Sequence, residues 1–432
     1  MSSSMSVSPP PAPAASSNKN VSQLLAHSSG LISWSGCGRY LAVAKDTRLT
    51  VRDIELNMAV VQIFTCVDMI SAIQWAPSDA TNEPNMQLIF CAMYKRAIVQ
   101  VFSVVDPSWT CKIAEGICGL ISALWTPDTC HVITVSDFRI HATVWSLADA
   151  TKYVIRNPKL GADGFSFSPD GTYLAVAERI DCKSSKDAIG IYSVESWELI
   201  RHFDVASYDV VEISWSLDGR AIVLRDTFLE YRLVFYSVDG ALLHQYEPYQ
   251  HALGVKTMTW SPTGHFLAVG SFDEKVRVIS HMHWKPIAEL DHPTLITSNT
   301  TMDIYKEEKG QWSQVALPCT VPSVSPDPTK EMPKVGVGVV AWSHDAAYMA
   351  TKNDSMPHHI WIWRTDSMEL CASLASSSPI KTFRWSPTRA SLAFGCGTPR
   401  VCFWSPDGIS WYDIPQGIIV IPGRIYIMPC VK

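Results

Sequence analysis

Residues 254–284, GVKTMTWSPTGHFLAVGSFDEKVRVISHMHW, contain a complete pattern of four short strands. Residues 257–260 alternate in polarity and predict a first strand with one buried face. The turn sequence SPTG follows, because proline sets φ early in a turn and glycine allows a positive φ later. Residues 266–270 predict a nearly continuous apolar second strand, residues 276–279 a third, and residues 284–290 a weaker fourth. Four short strands cannot bury both faces alone, so this unit predicts similar units on either side.

The same pattern recurs along the chain. Eight anchor residues each stand before a turn, at intervals of 41 to 50 residues apart from one interval of 82. The anchors are Trp34, Trp75, Trp125, Phe167, Trp215, Trp260, Trp342 and Trp385. A period of about 40–45 residues with four strands per unit is typical of a WD-type β-propeller. We therefore expect an all-β propeller of eight blades, with seven blades as the alternative.

Composition limits the classes of protein that fit this chain. Of its 432 residues, 47% are hydrophobic and 16 are tryptophan, which is enough for a large core. The net charge of −6 argues against a broad nucleic-acid surface, which needs clustered Lys and Arg. Twelve scattered cysteines without a C-x-x-C pair do not indicate a disulfide framework. No signal peptide or membrane span is recognisable, so we expect a cytoplasmic or nuclear protein.

The chain divides into five predicted parts. Residues 1–20 are rich in Ser, Pro and Ala and should be disordered. Residues 21–293 would hold blades 1 to 6, and residues 334–414 would hold blades 7 and 8. The interval of 82 allows a degenerate blade or an inserted loop, and the Pro, Ser and charge content of residues 294–333 favours the loop. Two segments inside it, MDIYKE and WSQVALP, could still form a β-arm, and residues 415–432 have no anchor or turn and an uncertain packing.

Few residues suggest catalysis or the binding of a metal or cofactor. Residues 336–341, GVGVVA, match a loose dinucleotide-binding pattern but run straight into the seventh anchor, which favours a blade strand. His281 with His283, and His358 with His359, have no carboxylate or cysteine at ligand spacing, so we expect no metal. Aspartates in the turns between second and third strands are better explained as turn caps than as catalytic carboxylates. These aspartates are Asp46, Asp137, Asp226, Asp273 and Asp354. We therefore expect neither an enzyme nor a cofactor.

Exposed aromatic and cationic side chains in loops are the candidates for partner contact. They are Tyr94, Lys95, Arg96 and Trp109, although each could equally pack at a blade edge. Ser8 and Ser325 each precede a proline in segments predicted to be mobile. These two serines are therefore candidate sites of proline-directed phosphorylation.

Several strings go beyond the generic repeat. Among them are CAMYKRAIVQVFS (residues 91–103), SWTCKIAEGICGLISALWTPD (residues 108–128) and LIRHFDV (residues 199–205). On these strings the chain resembles, from about Ile32 to Ser405, the centrosomal and spindle-pole WD-repeat family, whose human member is encoded antisense to a p53-family gene. The ending QGIIVIPGRIYIMPCVK and the Ser/Pro-rich beginning depart from that family.

The resemblance implies a non-enzymatic scaffold in the cytoplasm and cytoskeleton. Family members act with a coiled-coil centrosomal protein of the SSX-interacting, spindle-anchoring type. The complex anchors microtubule minus ends at the centrosome or spindle pole and supports spindle assembly and cilium formation. A minus-end-directed kinesin and gamma-tubulin-associated machinery are further implied partners.

Two other interpretations stay open from the residues alone. A hydrolase propeller would need polar residues from successive first strands converging on the axis, and these strands supply few. A WD-repeat adaptor of a ubiquitin ligase or a ribonucleoprotein is the other, and the acidic balance weakens its RNA-associated form.

Overall fold

The computed structural model describes residues 25–28, 30–77, 87–179, 186–297, 302–327, 329 and 333–414. Within these residues the chain forms eight four-stranded antiparallel meanders, in which each strand pairs with the next along the sequence. The predicted all-β propeller is therefore confirmed, with eight blades. The predictions for residues 1–20, residues 415–432 and Ser8 lie outside the described residues.

The first four blades follow one another without interruption by other strands. Blade 1 comprises β1 (Ile32–Trp34), β2 (Tyr40–Lys45), β3 (Arg48–Asp53) and β4 (Ala59–Thr65). Blade 2 comprises β5 (Ala72–Trp75), β6 (Leu88–Met93), β7 (Ile98–Ser103) and β8 (Thr110–Ala114). Blade 3 comprises β9 (Ser122–Trp125), β10 (His131–Val135), β11 (His141–Ser146) and β12 (Lys152–Arg156). Blade 4 comprises β13 (Phe165–Phe167), β14 (Tyr173–Arg179), β15 (Asp187–Ser193) and β16 (Leu199–Asp204).

Four extra strands separate blades 6 and 7. Blade 5 comprises β17 (Val210–Trp215), β18 (Ala221–Asp226), β19 (Leu233–Ser237) and β20 (Leu242–Tyr246). Blade 6 comprises β21 (Val255–Trp260), β22 (Phe266–Ser271), β23 (Lys275–Ser280) and β24 (Pro286–Asp291). The extra strands are β25 (Leu295–Ile296), β26 (Asp303–Glu308), β27 (Gln311–Gln314) and β28 (Cys319–Thr320). Blade 7 comprises β29 (Val337–Trp342), β30 (Tyr348–Asn353), β31 (His359–Arg364) and β32 (Glu369–Ala375). Blade 8 comprises β33 (Thr382–Trp385), β34 (Leu392–Gly395), β35 (Arg400–Ser405) and β36 (Gly408–Asp413). Short 3-10 turns occur at Tyr94–Arg96, Gly116–Cys118, Asp137–Arg139 and Ala162–Gly164.

The eight anchors occupy equivalent positions. Each is the last residue of the first strand of its blade, and each lies opposite an apolar residue near the start of the second strand. Trp34 thus faces Leu41, and Trp260 faces Leu267. The repeated spacing in the sequence therefore corresponds to one position repeated around the ring.

Anchor indoles connect successive blades. The Nε1–H of Trp342 donates to the backbone oxygen of Thr259, the residue before the preceding anchor, at 3.1 Å. Trp385 makes the same contact with the oxygen of Ala341 at 3.0 Å. Trp75 and Trp125 repeat it at the first two blade boundaries, and Trp260 uses the hydroxyl of Ser214 instead. These bonds fix the inner strands of neighbouring blades against one another.

The core lies between the blades. Seven apolar clusters each combine residues of two successive blades, from blades 1 and 2 to blades 7 and 8. The second and third strands are sandwiched between neighbours, and every residue of β6 is buried. This double coverage explains why these strands are almost continuously apolar in the sequence.

Residues 302–327 contain a β-arm. Strands β26 and β27 form a hairpin, and β26 pairs in parallel with β32, so blade 7 becomes a six-stranded sheet. Trp312 of the hairpin packs edge-on against Phe394 of blade 8, with ring centroids 5.6 Å apart. The guanidinium of Arg400 bonds the oxygen of Gly310 at the tip. The arm thus uses the strand-forming segments of this region to brace blade 7 against blade 8.

Candidate partner-binding face

The two faces of the ring carry different loops. We call upper the face that carries the loops between second and third strands and the loops between successive blades. Tyr94–Arg96 joins β6 to β7 and lies on the upper face. Trp109 precedes β8 in the turn between third and fourth strands, which belongs to the lower face. The structure therefore brings together Tyr94, Lys95 and Arg96 and separates Trp109 from them.

These predicted contact residues differ in exposure. The ring of Tyr94 packs beside the core of blades 2 and 3, and burial raises the pKa of its hydroxyl. Lys95 and Arg96 are exposed. Trp109 is half-buried against the same core. Of the four, the two basic side chains are therefore the most accessible to a partner.

Exposed apolar side chains surround this basic pair. Ile117 is fully exposed, and Phe138 is 87% exposed. Val67, Met69 and Ile140 are each more than half exposed on neighbouring upper loops. Exposed apolar side chains grouped on one face are candidates for an interaction surface.

The backbone holds two of these side chains outward. Ile117 lies between Gly116 and Gly119, which have φ of 69° and 70°. Phe138 and Arg139 are non-glycine residues with φ of 56° and 57°, in the left-handed region. This backbone conformation is uncommon for residues other than glycine, and it recurs in other turns of this ring, such as those at Asp46 and Ala97. The turn at Phe138 thus presents an aromatic ring to solvent.

The upper loops of the first blades are directly linked. The carboxylate of Asp68, between blades 1 and 2, accepts from the Nε of Arg96 at 3.0 Å. The N–H of Met69 and the Arg96 guanidinium together lower the pKa of the Asp68 carboxyl. The backbone N–H of Glu115 donates to the oxygen of Ala97 at 3.0 Å. These bonds join the three loops that carry Met69, Arg96 and Ile117.

The same continuity extends to blades 3 and 4. A Cβ built on Gly119 would lie 2.7 Å from the Cβ of Asp137, so these two loops touch. The guanidinium of Arg139 donates to the oxygen of Lys159 at 2.9 Å. We define the upper patch as the surface formed by Val67, Met69, Lys95, Arg96, Ile117, Phe138 and Ile140. It combines exposed apolar side chains and a basic pair on loops that are linked to one another.

A buried polar network supports the patch from below. The carboxylate of Glu115 accepts from the hydroxyl of Thr134 and from the Nε1–H of Trp145, the latter at 3.2 Å. Trp145 also donates to Thr134 at 2.8 Å, and His141 lies 3.5 Å from Glu115. Satisfied buried polar groups of this kind make a loop base rigid. The patch therefore has a preorganised support, which reduces the entropic cost of binding.

The sequence did not single out Ile117 or Phe138. Ile117 stands in the string GICG, and an apolar residue between two glycines is a local signal for an exposed turn. Phe138 follows Asp137 in a turn that the sequence placed correctly, but its outward direction depends on a left-handed backbone. That Ile117 and Phe138 lie on neighbouring loops depends on how blades 2 and 3 pack against each other, which the sequence does not show.

The aspartates and the glycine-rich segment that could have indicated catalysis or a cofactor have structural roles. Asp226 ends β18 and accepts from the backbone N–H groups of Tyr208 and Asp209 at 3.0 and 2.9 Å, so it caps the loop before β17 and not the predicted turn after β18. Asp273 bonds the buried guanidinium of Arg277. Residues 337–342 form β29 and no helix follows them, as expected for a blade strand rather than a dinucleotide site. These groups are used by the fold itself.

Two of the histidines that could suggest a metal pack within the fold. His281 stacks on His265 with ring centroids 5.4 Å apart. His359 is buried in β31, and burial, with His358 nearby, lowers its pKa to about 4. Across the described ranges, no group of three or more metal-ligating side chains converges. No helix in the same ranges is long and apolar enough to cross a bilayer.

Comparisons with known proteins agree with this fold. Residues 240–280 match the family model described as WD domain, G-beta repeat. A solved structure of a eukaryotic initiation factor superposes with a TM-score of 0.61 at 10% identity, covering 91% of this chain and 90% of that one. This likeness concerns the fold alone.

Two relatives extend the comparison along the chain. An uncharacterized WD repeat-containing protein of Schizosaccharomyces pombe is 22% identical over 83% of this chain and 74% of its own length. WD repeat-containing protein WRAP73 of Mus musculus is 35% identical over 92% of this chain and 89% of its own length. With that identity over nearly the whole propeller, this chain belongs to the WRAP73 family of WD-repeat proteins.

Proposed function

We propose that this chain is a non-enzymatic scaffold that binds a coiled-coil partner and anchors microtubule minus ends at the centrosome or spindle pole. In this role it would support spindle assembly and ciliogenesis. The partner would be a centrosomal protein of the SSX-interacting, spindle-anchoring type, and a minus-end-directed kinesin and gamma-tubulin-associated machinery would join the assembly. Membership of the WRAP73 family supports this proposal.

The upper patch is the observation that carries the proposal. Ile117 and Phe138 are apolar anchors on rigid loops, and Lys95 and Arg96 lie beside them. A helix of a coiled-coil protein has apolar side chains on one stripe and charged side chains on its flanks. Acidic flanks would complement the basic pair, while the apolar stripe would cover the exposed side chains. The patch therefore fits an acidic amphipathic helix.

A variant of the patch tests this role. Burying one large apolar side chain contributes about 1.5–3 kcal/mol, so Ile117→Ser with Phe138→Ser should weaken the complex by at least about tenfold. Leu199→Ser with Ile287→Ser is the matched control, because these side chains are about equally apolar and half-exposed on outer strands. Both pairs are at the surface, so both variants should fold.

The assay is affinity purification from dividing cells, combined with imaging of the tagged chain and microtubule regrowth. The intact chain and the control should recover the coiled-coil protein and lie at the centrosome. The patch variant should lose both properties, and regrown microtubules should detach from the centrosome. Unchanged recovery by the patch variant would show that the upper patch is not the docking site. A diffuse intact chain that recovers ubiquitin-ligase subunits would instead favour an adaptor.

A further inference from the structure

Four lysines converge at the upper end of the inner strands of blades 6 to 8. Lys256 is the second residue of β21, and Lys381 directly precedes β33. Lys334 lies just before β29, and Lys352 lies near the end of β30. First strands run from the upper face to the lower face, so their beginnings surround the upper mouth of the ring. We call these four residues the lysine cluster.

Specific contacts hold the cluster together. The Nζ of Lys256 donates to the oxygen of Val335 at 3.0 Å and lies 2.5 Å from the carboxylate of Asp354. The Nζ of Lys352 donates to the oxygen of Ile380 at 2.7 Å, next to Lys381 in the chain. Three blades therefore contribute cations to one small region.

Within the part of the chain that the structure describes, the cluster holds more cations than carboxylates. Asp354 is the carboxylate that pairs with it among the described residues. Glu274 lies nearby but accepts from the hydroxyl of Ser355 at 2.7 Å. Glu307 pairs with the guanidinium of Arg400 and accepts from the hydroxyls of Ser376 and Ser377. Among the described residues, Asp354 pairs with Lys256 and also acts on Lys352, in a chain whose net charge is −6.

Because Lys352 is half-buried, holding these positive charges together is energetically unfavourable unless an anion binds. Lys352 is half-buried, and its pKa is lowered by desolvation, against the opposing effect of Asp354. The other three lysines lower the pKa of Lys352 further. Like charges held this close repel one another unless a counter-charge enters. The region is therefore preorganised to receive a compact anion.

We propose that the lysine cluster binds the phosphate of a phosphoserine or phosphothreonine in an extended peptide segment. Lysine is a common phosphate ligand because its ammonium group acts as a point charge with three donors. A phosphate monoester carries nearly two negative charges and several acceptor oxygens, which suits more than one ammonium group. Nucleic acid would need a row of cations along the surface, and this cluster is a single focus in an acidic chain.

The phosphate could come from a partner or from this chain. Ser325 is exposed, and the N–H of Val324 before it donates to the oxygen of Ser355 at 2.8 Å. Ser355 directly follows Asp354 in the chain. The contact therefore holds the Ser325 segment beside the carboxylate that pairs with Lys256. The ligand chemistry is the same in both cases, so a phosphorylated Ser325 would compete with a partner peptide.

The test uses the full chain and a fluorescein-labelled peptide that contains a phosphoserine. Fluorescence anisotropy should show binding of this peptide and at least about tenfold weaker binding of the same peptide with serine. Lys334→Ser with Lys381→Ser should weaken phosphopeptide binding by about tenfold, because two exposed cations are lost. Lys112→Ser with Lys285→Ser removes the same charge from exposed positions outside the cluster and should bind as the unmodified chain does.

Three outcomes would overturn the proposal. They are equal binding of the phosphorylated and unphosphorylated peptides, equal binding by the cluster variant and its control, and tighter binding of an RNA oligonucleotide that is lost in the cluster variant. Loss of peptide binding after phosphorylation of Ser325 would support an internal source of phosphate, and unchanged binding would support a partner source. The probe requires no coiled-coil protein, so failure here would leave the proposed scaffold untouched.

Discussion

Replacing Trp342 by phenylalanine should destabilise the ring more than the same replacement at Trp215. The Nε1–H of Trp342 donates across a blade boundary to the oxygen of Thr259 at 3.1 Å. The Nε1–H of Trp215 is buried and has no acceptor among the described residues. The two side chains are 7% and 4% exposed, so the packing that each loses is similar. The pair therefore isolates the hydrogen bond between blades.

The expected magnitude follows from three contributions. The smaller ring costs about 1–2 kcal/mol at either position through lost apolar burial. At Trp342 the lost hydrogen bond adds about 1 kcal/mol. At Trp215 the replacement removes a buried donor without a partner, whose desolvation costs about 1–3 kcal/mol in the unmodified chain. The free energy of unfolding should therefore fall by about 2–4 kcal/mol more for Trp342→Phe than for Trp215→Phe.

Urea unfolding followed by far-ultraviolet circular dichroism measures this difference. The slope with urea should be the same in both variants, and the midpoint of Trp342→Phe should be lower. Trp260→Phe is a further check, because its Nε1–H donates to the hydroxyl of Ser214 at 3.1 Å. Equal midpoints for the Trp342 and Trp215 variants would show that the indole bonds do not stabilise the blade boundaries.

Three further predictions concern stability. Lys159→Met should lower the free energy of unfolding in urea by about 3 kcal/mol, because it removes a partner of the buried carboxylate of Asp187. Lys275→Met, at an exposed ion pair, should lower it by less than about 1 kcal/mol. Folding lowers the pKa of His359 from 6.5 to about 4, so only the unfolded chain takes up a proton on this side chain as the pH falls below 6.5. The contribution of neutral His359 to stability is therefore complete above pH 6.5 and is lost as the pH falls to 4. His359→Met should remove about 3 kcal/mol of this pH dependence, and an unchanged pH profile of unfolding would contradict the assignment. Gly254→Ala should lower the thermal midpoint markedly, because its Cβ would lie 2.0 Å from a backbone oxygen of blade 5, and a midpoint like that of the unmodified chain would exclude this clash.

The sequence predicted the blades well because the information that makes a blade is local. A tight turn needs proline, glycine or aspartate at fixed positions, and a strand needs alternating or continuous apolar residues. Trp34 and Trp385 are far apart in the chain, yet each marks the end of a first strand by its own neighbours. A short period repeated eight times therefore revealed the all-β propeller without knowledge of any contact between blades.

The candidate site was predictable in part. Tyr94, Lys95 and Arg96 were found because basic and aromatic residues in a turn stand out in the sequence. Trp109 has the same chemistry, but the turn that carries it opens on the lower face. Which face a turn occupies depends on the order of strands within the blade, and which loops then meet depends on neighbouring blades.

The sequence by itself determined the repeat, its period and the anchors, since turn and strand preferences act over a few residues. The tertiary structure alone decided the upper patch, the β-arm on blade 7 and the lysine cluster. Lys256 and Lys381 are separated along the chain by the strands of two blades and the inserted arm. They are neighbours because the ring brings the beginnings of its inner strands together. Closure of the sheets around one axis, rather than any local pattern, creates these surfaces.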